Sequence, residues 1–395
     1  MLNGPFSPWP DFDADEKQAV LDVLDSNKVN YWTGQKGREF EKLFAAYFDC
    51  KFAVAVANGT VALDLAWQAL DLPKGSEVIV TSRTFIASIS SIVLAGLTPV
   101  FADIDLNTQN ITPETIRPHI GDKTSAILCV HLAGWPCEMD SILALAKVHS
   151  LRVVEDCAQA HGAKYKGKAV GSFGDIAAWS FCQDKIMTTA GEGGMVTTNN
   201  KTLWEKVWSF KDHGKSWNAI YEKEHPPGFR WLHESFGTNW RMMEIQSVVG
   251  LKQLEKMPTW TEIRNKYSQH IFAVAREFTA LRVPHVPDHI EHAFYKCYVF
   301  VEPDKLNIGW DRDRIISEMC KLNVPCFSGS CSEVYKEKAF DHTSYRPKKI
   351  LSNAIELGAT SLMFLVHPTL KQVEIDKCCI GFSQVMQRAS KRNNP

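Results

Sequence analysis

An α/β fold is what the sequence predicts: a mostly parallel seven-stranded sheet in a large domain, then a smaller C-terminal α+β domain. Three observations carry that prediction. Seven short β-rich runs follow one another between residues 52 and 198, with helical patterns between the first several. The runs are apolar on both faces, as strands covered by helices on both sides must be. The third observation is length, because 395 residues are too many for one simple core.

The runs are FAVAVA at 52–57, EVIVT at 77–81, TPVFADI at 98–104, SAILCVHL at 125–132, LRVVED at 151–156, IAAWSF at 176–181 and GGMVTT at 193–198. Val61–Leu70 and Asp140–Lys147 are two of the helical patterns between them. The later runs lie closer together, so the sheet finishes without a helix in every gap. Phe85–Ala102 is the most apolar long stretch, but serines, a Gly and a Pro interrupt it. It reads as a core helix running into a strand and falls short of a membrane span. From about 200 to 258 the chain reads as a helix, a polar loop, and a second helix from about Met242 to Lys256. A separate helical pattern covers Thr261–Phe278. YKCYVFV at 295–301, a helix near Arg312–Leu322, and FLVHPTL with a terminal helix make up the α+β part. The expected division is 15–260 for the large domain and 261–395 for the small one, with residues 1–14 packing on the small one.

Bulk properties narrow the function. Net charge is -1, with 44 Lys and Arg against 45 Asp and Glu, so the basic excess of a nucleic-acid binder is missing. The 11 cysteines are scattered, none in a CxxC pair, which reads as reduced thiols in a cytoplasmic protein. No zinc-ligand spacing is present, and no metal is expected. The first residues, MLNGPFSPWPDFDADE, lack the basic start and apolar core of a signal peptide.

In an open parallel sheet, ligands bind at the carboxyl ends of the strands, so the residues there carry the argument. After the first run comes NGT and then a helix. Gly59 permits close backbone approach, and the first-turn amides suit a phosphate; the ordinary reading is a turn capped by Thr60. After the second run comes SRTFIAS, where Phe85 is either a platform for a planar ligand or a core residue. Glu155 and Asp156 end a buried strand, and a carboxylate there must be solvated, paired or hydrogen-bonded. It either pairs with a cationic ring nitrogen or caps a helix. His161 reads as a core or surface histidine. After the sixth run stands Lys185, with Ser180 five residues earlier. A lone loop lysine is usually a solvated one; a partly buried one near positive charge becomes a nucleophile for Schiff-base formation. Together these groups supply what pyridoxal phosphate needs: an anion site, a ring platform, a pyridinium partner and an aldehyde partner. A dinucleotide site would want GxGxxG after the first strand, and ANGTVA lacks it.

The sequence resembles the DegT/StrS-type sugar aminotransferases, within the fold-type I pyridoxal-phosphate enzymes. The resemblance covers nearly the whole chain. It runs through NYWTG…GREFEKLFAAYF, VAVANGTVALDLA, SRTFIAS, VVEDCAQAHGA, SFGDIAAWSF…K, GEGGMVTT and GTNWRMMEIQSVVG. It implies that Lys185 forms the Schiff base with pyridoxal 5'-phosphate and that Asp156 pairs with the pyridine nitrogen. Gln159 would face the ring hydroxyl, and Phe85 would stack on the ring. Gly59, Thr60 and Ser180 would hold the phosphate. Asn239 would reach the phosphate bound in the neighbouring subunit, which makes a homodimer part of the site. The segment CQD before the lysine departs from the family pattern, so Cys182 and Gln183 would alter the rim of the sugar pocket. The loop KSWNAIYEKEHPPGFRWLHES at 215–235 would cover a nucleotide-sugar or form a dimer contact.

The implied reaction moves an amino group from L-glutamate to a nucleotide-linked keto-sugar, for surface polysaccharide of the O-antigen type. Lys185 would carry a proton in both halves of that reaction. Two rival readings are a sugar dehydratase on the same cofactor, and a sensor or scaffold of the same fold. Some relatives replace the lysine with histidine and act as sugar dehydratases, so Lys185 argues against the first. The intact lysine, carboxylate and phosphate set argues against the second. The sugar, its aminated carbon and the nucleotide are not written in the sequence.

Overall fold

A computed structural model describes residues 5–391 of the chain. It opens with helices α1 (Ala14–Asp25) and α2 (Lys36–Tyr47). Strand and helix then alternate through β1 (Phe52–Val56), α3 (Gly59–Leu70), β2 (Glu77–Thr81), α4 (Ala87–Leu94) and β3 (Thr98–Ala102). Next come α5 (Pro113–Ile116), β4 (Thr124–Val130), α6 (Met139–Val148) and β5 (Arg152–Asp156). A short hairpin, β6 (Lys164–Tyr165) and β7 (Lys168–Ala169), precedes β8 (Ile176–Ser180) and β9 (Gly194–Thr198). Helices α7 (Lys201–Phe210), α8 (Trp217–Tyr221) and α9 (Glu244–Ala275) follow. The chain ends through β10 (Leu281–Arg282), β11 (Ile290–Glu291), β12 (Cys297–Val301), α10 (Arg312–Lys321), α11 (Ser352–Thr360), β13 (Ser361–Phe364) and α12 (Gln372–Ala389).

The large sheet has seven strands in the order β1-β9-β8-β5-β4-β2-β3. The pairs β2·β3, β2·β4, β4·β5 and β5·β8 are parallel. Strand β9 is antiparallel to both its neighbours, β8 and β1, so it alone runs against the rest. That is why β8 and β9 need no helix between them: reversing direction requires only a loop. The carboxyl ends of the other six strands therefore lie along one edge. Consecutive positions Val78, Ile79 and Val80 are fully buried, which only a sheet covered on both faces produces. Each such side chain contributes roughly 1.5–3 kcal/mol on leaving water.

Strands β10, β12 and β13 form a second sheet near the C-terminus. Its own core gathers Val299, Ile315, Leu362, Phe364, Ile375 and Phe382. The separate helices expected at Met242–Lys256 and Thr261–Phe278 are one helix, α9, with Pro258 inside it. Proline removes one ladder hydrogen bond, at about 3 kcal/mol. Burial on both sides of it outweighs that loss: Leu251, Leu254 and Met257 pack under the large sheet, and Tyr267, Ile271 and Phe272 in the C-terminal core. The division expected at residue 260 thus falls within a continuous helix. The run FLVHPTL is strand only at Phe364, where β13 ends.

The N-terminal segment lies on the C-terminal part. The Ser7 amide and hydroxyl donate to Glu374 at 2.5 and 2.9 Å, and Trp9 stacks on His367. Residues 1–4, part of the segment expected to pack there, lie outside the described residues. No helix among the described residues is long and apolar enough to cross a membrane.

Candidate active site

A cavity of about 920 Å³ opens at the carboxyl ends of β1, β2, β4, β5 and β8. Its floor is sheet, and its far wall comes from β12 and the segment around Gly329. Of the residues singled out in the sequence, Gly59, Thr60, Phe85, Asp156, Gln159, Ser180 and Lys185 all line it.

Strand β1 delivers the start of α3. The helix is capped by Asn58, whose side chain accepts from the Val61 amide at 3.0 Å, and not by Thr60 as expected. With Asn58 as the cap, the amides of Gly59 and Thr60 belong to the first turn and have no acceptor within the helix. A Cβ on Gly59 would come within 2.5 Å of the Ser180 Cβ, so only glycine lets the helix start sit against the end of β8. The Ser180 hydroxyl oxygen accepts from the Cys182 amide at 3.3 Å, which leaves its hydrogen to donate. Two amides and one hydroxyl thus surround a small volume suited to an anion.

Strand β5 separates two adjacent carboxylates by its pleat. Glu155 turns away from the cavity. It accepts from the amides of Gly171, Phe173 and Gly174 and sits 3.0 Å from His131 Nε2. Burial raises its affinity for a proton, yet those hydrogen bonds outweigh burial and hold it below the ordinary glutamate range. Glu155, His131 and Cys157 lie close enough to suggest a metal. The lone pairs of Glu155 and His131 are already committed, since His131 Nδ1 also accepts from the Cys137 amide. Asp156 faces the cavity. Its Oδ2 accepts from Ser88 Oγ at 2.7 Å and its Oδ1 from the Ala158 amide at 3.1 Å. It keeps lone pairs for a cationic partner.

Gln159 is fixed from behind, its Oε1 accepting from the Ala133 amide at 2.8 Å. Its amide nitrogen is then the group able to donate forward. Phe85 is 68% exposed at the lip, which excludes the core reading and suits a ring platform. Lys185 is partly buried. Its amide donates to Cys182 O at 3.0 Å, and its carbonyl accepts from Trp9 Nε1 at 2.8 Å. Its ammonium stands 5.2 Å from the centre of the Tyr295 ring. Tyr295 donates to Asp184, beside Lys185 in the chain.

Asn239 is not among the cavity residues of its own chain. It is exposed, in a bridge with Asp212. In the loop at 215–235, α8 packs Trp217 on Trp204 and Trp208, while Phe229 and Trp231 remain exposed. His161 is a core residue: both ring nitrogens are buried without a hydrogen-bond partner among the described residues, and burial, aided by Lys185 and Arg264, pulls it down to about 3.

Sequence reasoning missed Trp9, Ser88, Tyr295 and Lys296. Ser88 is placed by the first turn of α4 and orients Asp156. Lys296, immediately before β12, and Tyr298, within it, both line the cavity, and the period-two pattern in YKCYVF could have shown that they share a face. Nothing local could have shown that this face meets the cavity.

The donor set fits pyridoxal phosphate: an anion cradle, a carboxylate without a cation, an exposed aromatic and an amine converge on one volume. Comparison with known proteins agrees. Residues 10–382 match the model of the DegT/DnrJ/EryC1/StrS aminotransferase family. A solved aminotransferase from Psychrobacter cryohalolentis is 59% identical, with a TM-score of 0.96 over 97% of this chain and 99% of that one. A GDP-perosamine synthase from Caulobacter vibrioides is 35% identical over 95% of this chain and 97% of its own length. The E. coli GDP-4-keto-6-deoxy-D-mannose-3-dehydratase, solved with bound hydrated PLP, is 25% identical. Its TM-score is 0.85 over 97% of this chain and 100% of that one.

Proposed function

The chain belongs to the DegT/DnrJ/EryC1/StrS aminotransferase family, and from that membership we propose that it moves the amino group of L-glutamate to a nucleotide-linked keto-sugar. The observation that carries the reading is Lys185, an amine in the same cavity as Asp156 and the Gly59–Ser180 cradle. Pyridoxal phosphate supplies the aldehyde and an electron sink for the carbon that loses its proton. The chain supplies position, charge and proton transfer. The Gly59 and Thr60 amides and the Ser180 hydroxyl would hold the phosphate. The Asp156 carboxylate, held by Ser88, would keep the ring nitrogen protonated. The Gln159 amide would donate to the ring hydroxyl, and Phe85 would cover the ring. Lys185 Nζ would hold the aldehyde, and its free amine would act as general base and then general acid at the substrate carbon.

The names of the two sugar-nucleotide relatives support a nucleotide-linked acceptor. One of them is a dehydratase, but a lysine at 185 favours amino transfer. The product would be an amino-sugar for surface polysaccharide. A homodimer completes the site in this reading, with Asn239 donating to the phosphate of the partner subunit. Exposed Phe229, Trp231 and Phe236 on the same stretch of chain support such an interface. Eleven cysteines without a disulfide suit the cytoplasm.

The test is a visible spectrum of the holoenzyme before and after L-glutamate, with borohydride trapping and peptide mapping. A yellow protein that bleaches with glutamate and is trapped at Lys185 is expected. A protein that takes up no cofactor would overturn the reading. For the shared site, mixing inactive Lys185→Ala and Asn239→Ala proteins should restore activity through hybrid dimers. No recovery after subunit exchange would remove Asn239 from the phosphate.

A further inference from the structure

The cavity holds a second lysine that the proposed chemistry does not use. Lys296 opens the cavity wall formed by β12, and its ammonium stands 4.6 Å from the centre of the Tyr295 ring. Lys185 stands 5.2 Å from the centre of that same ring. Lys296 makes no hydrogen bond or ion pair among the described residues.

The charges around it are unbalanced. The groups close enough to act on Lys296 are Asp184, Arg264 and Lys185. Asp184 is the one carboxylate, and it is already engaged by the Tyr295 hydroxyl. Arg264 is fully buried; among the described residues its Nη1 reaches only the carbonyls of Phe294 and Tyr295, and its Nε and Nη2 have no hydrogen-bond partner. His367, on the same side, is pulled down to about 3 by burial and by the charges of Arg264 and Lys296, so it adds no anion and no cation near neutrality. Three cations therefore meet one occupied carboxylate. Burial, with Arg264 and Lys185 assisting and Asp184 opposing, draws Lys296 down to about 8. An anion arriving from the cavity would relieve that cost.

We infer that Lys296 is the seat for a carboxylate of the amino donor, held beside the amine that reacts. This rests on the aminotransferase reading above and deepens it. The argument for a carboxylate over a diphosphate is distance. Lys296 and Lys185 stand 4.6 and 5.2 Å from the centre of one aromatic ring, so their ammonium groups are close enough for one amino acid to reach both. In an α-amino acid the carboxylate is one bond from the reacting carbon. In a nucleotide-sugar the whole sugar ring stands between the reacting carbon and the diphosphate. Lys296 is a binding residue in this inference, and Lys185 alone carries the proton.

The experiment compares wild-type holoenzyme with Lys296→Gln and Lys296→Arg. Three quantities are read: the L-glutamate concentration for half-maximal bleaching, the affinity for glutarate by calorimetry, and the affinity for GDP. Glutarate has both carboxylates and no amine, so it reports binding without turnover. Lys296→Gln should raise the half-saturating glutamate concentration and the glutarate dissociation constant about tenfold or more. Lys296→Arg should recover most of both, and GDP affinity should hold in all three proteins. Loss confined to GDP would assign Lys296 to the diphosphate and overturn the inference. Unchanged glutamate and glutarate binding would also overturn it. If wild type binds glutarate but does not bleach with glutamate, the donor assignment fails, while the carboxylate seat stands or falls on the glutarate arm alone.

Discussion

Two lysines, Lys185 and Lys211, look alike in sequence and differ in everything that matters for chemistry. Lys211 caps α7 and is fully buried. Its ammonium lies 3.5 Å from the centre of the Tyr31 ring, near Glu41 and Asp212. Burial pulls it down to about 8, with both carboxylates opposing. Glu41 accepts from the Tyr31 hydroxyl at 3.0 Å, and Asp212 is paired with Arg241 at 2.6 Å. Lys185 is less buried, yet its amine faces a cavity. The comparison teaches that a perturbed amine is not in itself a reactive one. Lys211 is closed in by aromatic rings and carboxylates that it helps to hold together; Lys185 has space in which another molecule can meet it.

The largest test of that difference is Lys185→Ala. Removing the amine proposed as nucleophile and proton carrier should slow the chemical step by roughly 10⁴-fold. The melting temperature should stay close to that of wild type, because the side chain is partly exposed and has no ion pair among the described residues. Rapid-quench rates and thermal melts measure the two effects. Near-normal turnover would end the distinction between the two lysines.

Lys211→Met should do the reverse. It deletes a buried cation beside Glu41, and stability should fall by about 2 kcal/mol while turnover per folded molecule keeps its wild-type order. Adding Glu41→Gln should recover more than half of the loss, because the carboxylate left without its cation is what makes the single change costly. Denaturant melts of the two single variants and the double variant read this cycle. A Lys211→Met protein that is fully stable but inactive would place Lys211 with the chemistry instead.

The same contrast explains what was legible in the sequence. The seven strands were legible because each is a short apolar run, and the strand-end rule then pointed to Gly59, Phe85, Lys185 and the pair Glu155 and Asp156, of which the family resemblance picked Asp156. Which carboxylate faces the cavity was not decidable from residue type, since Glu155 and Asp156 are neighbours with the same charge. The pleat decides it, together with the loop at 171–174 that satisfies Glu155. Trp9, Lys296 and Lys211 were not legible for another reason. Trp9 is 176 positions from the lysine whose carbonyl it holds. Lys211 is buried by Tyr31 and Glu41, residues far away in the chain. The two helices expected at 242–256 and 261–278 are one because packing on either side of Pro258, which the sequence does not show, outweighs the proline's local cost.

The smallest effect belongs to a third buried base, His161, which lies close enough to Lys185 to feel its charge. It sits among Phe48, Trp179 and Phe181, with ring centres 5.2–6.4 Å away. Its value is depressed from 6.5 to about 3, first by burial and then by Lys185 and Arg264. In the unfolded chain the imidazole takes a proton below 6.5; in the folded one it stays neutral down to about 3. The unfolded state therefore binds more protons across that window, and stability falls as pH falls through it. One such group contributes a slope of about 1.4 kcal/mol per pH unit. His161→Phe keeps an aromatic ring in an aromatic cluster and removes two buried nitrogens that have no partner. Between pH 6 and 4 the variant should lose stability less steeply than wild type by about that one-proton slope. His292 and His367, also drawn down to about 3, leave the rest of the acid sensitivity in place. The visible spectrum with L-glutamate should be unchanged at neutral pH. If the variant melts in parallel with wild type across that range, His161 is charged in the folded protein. Its place would then be with Lys185 in the chemistry and not with Lys211 in the core.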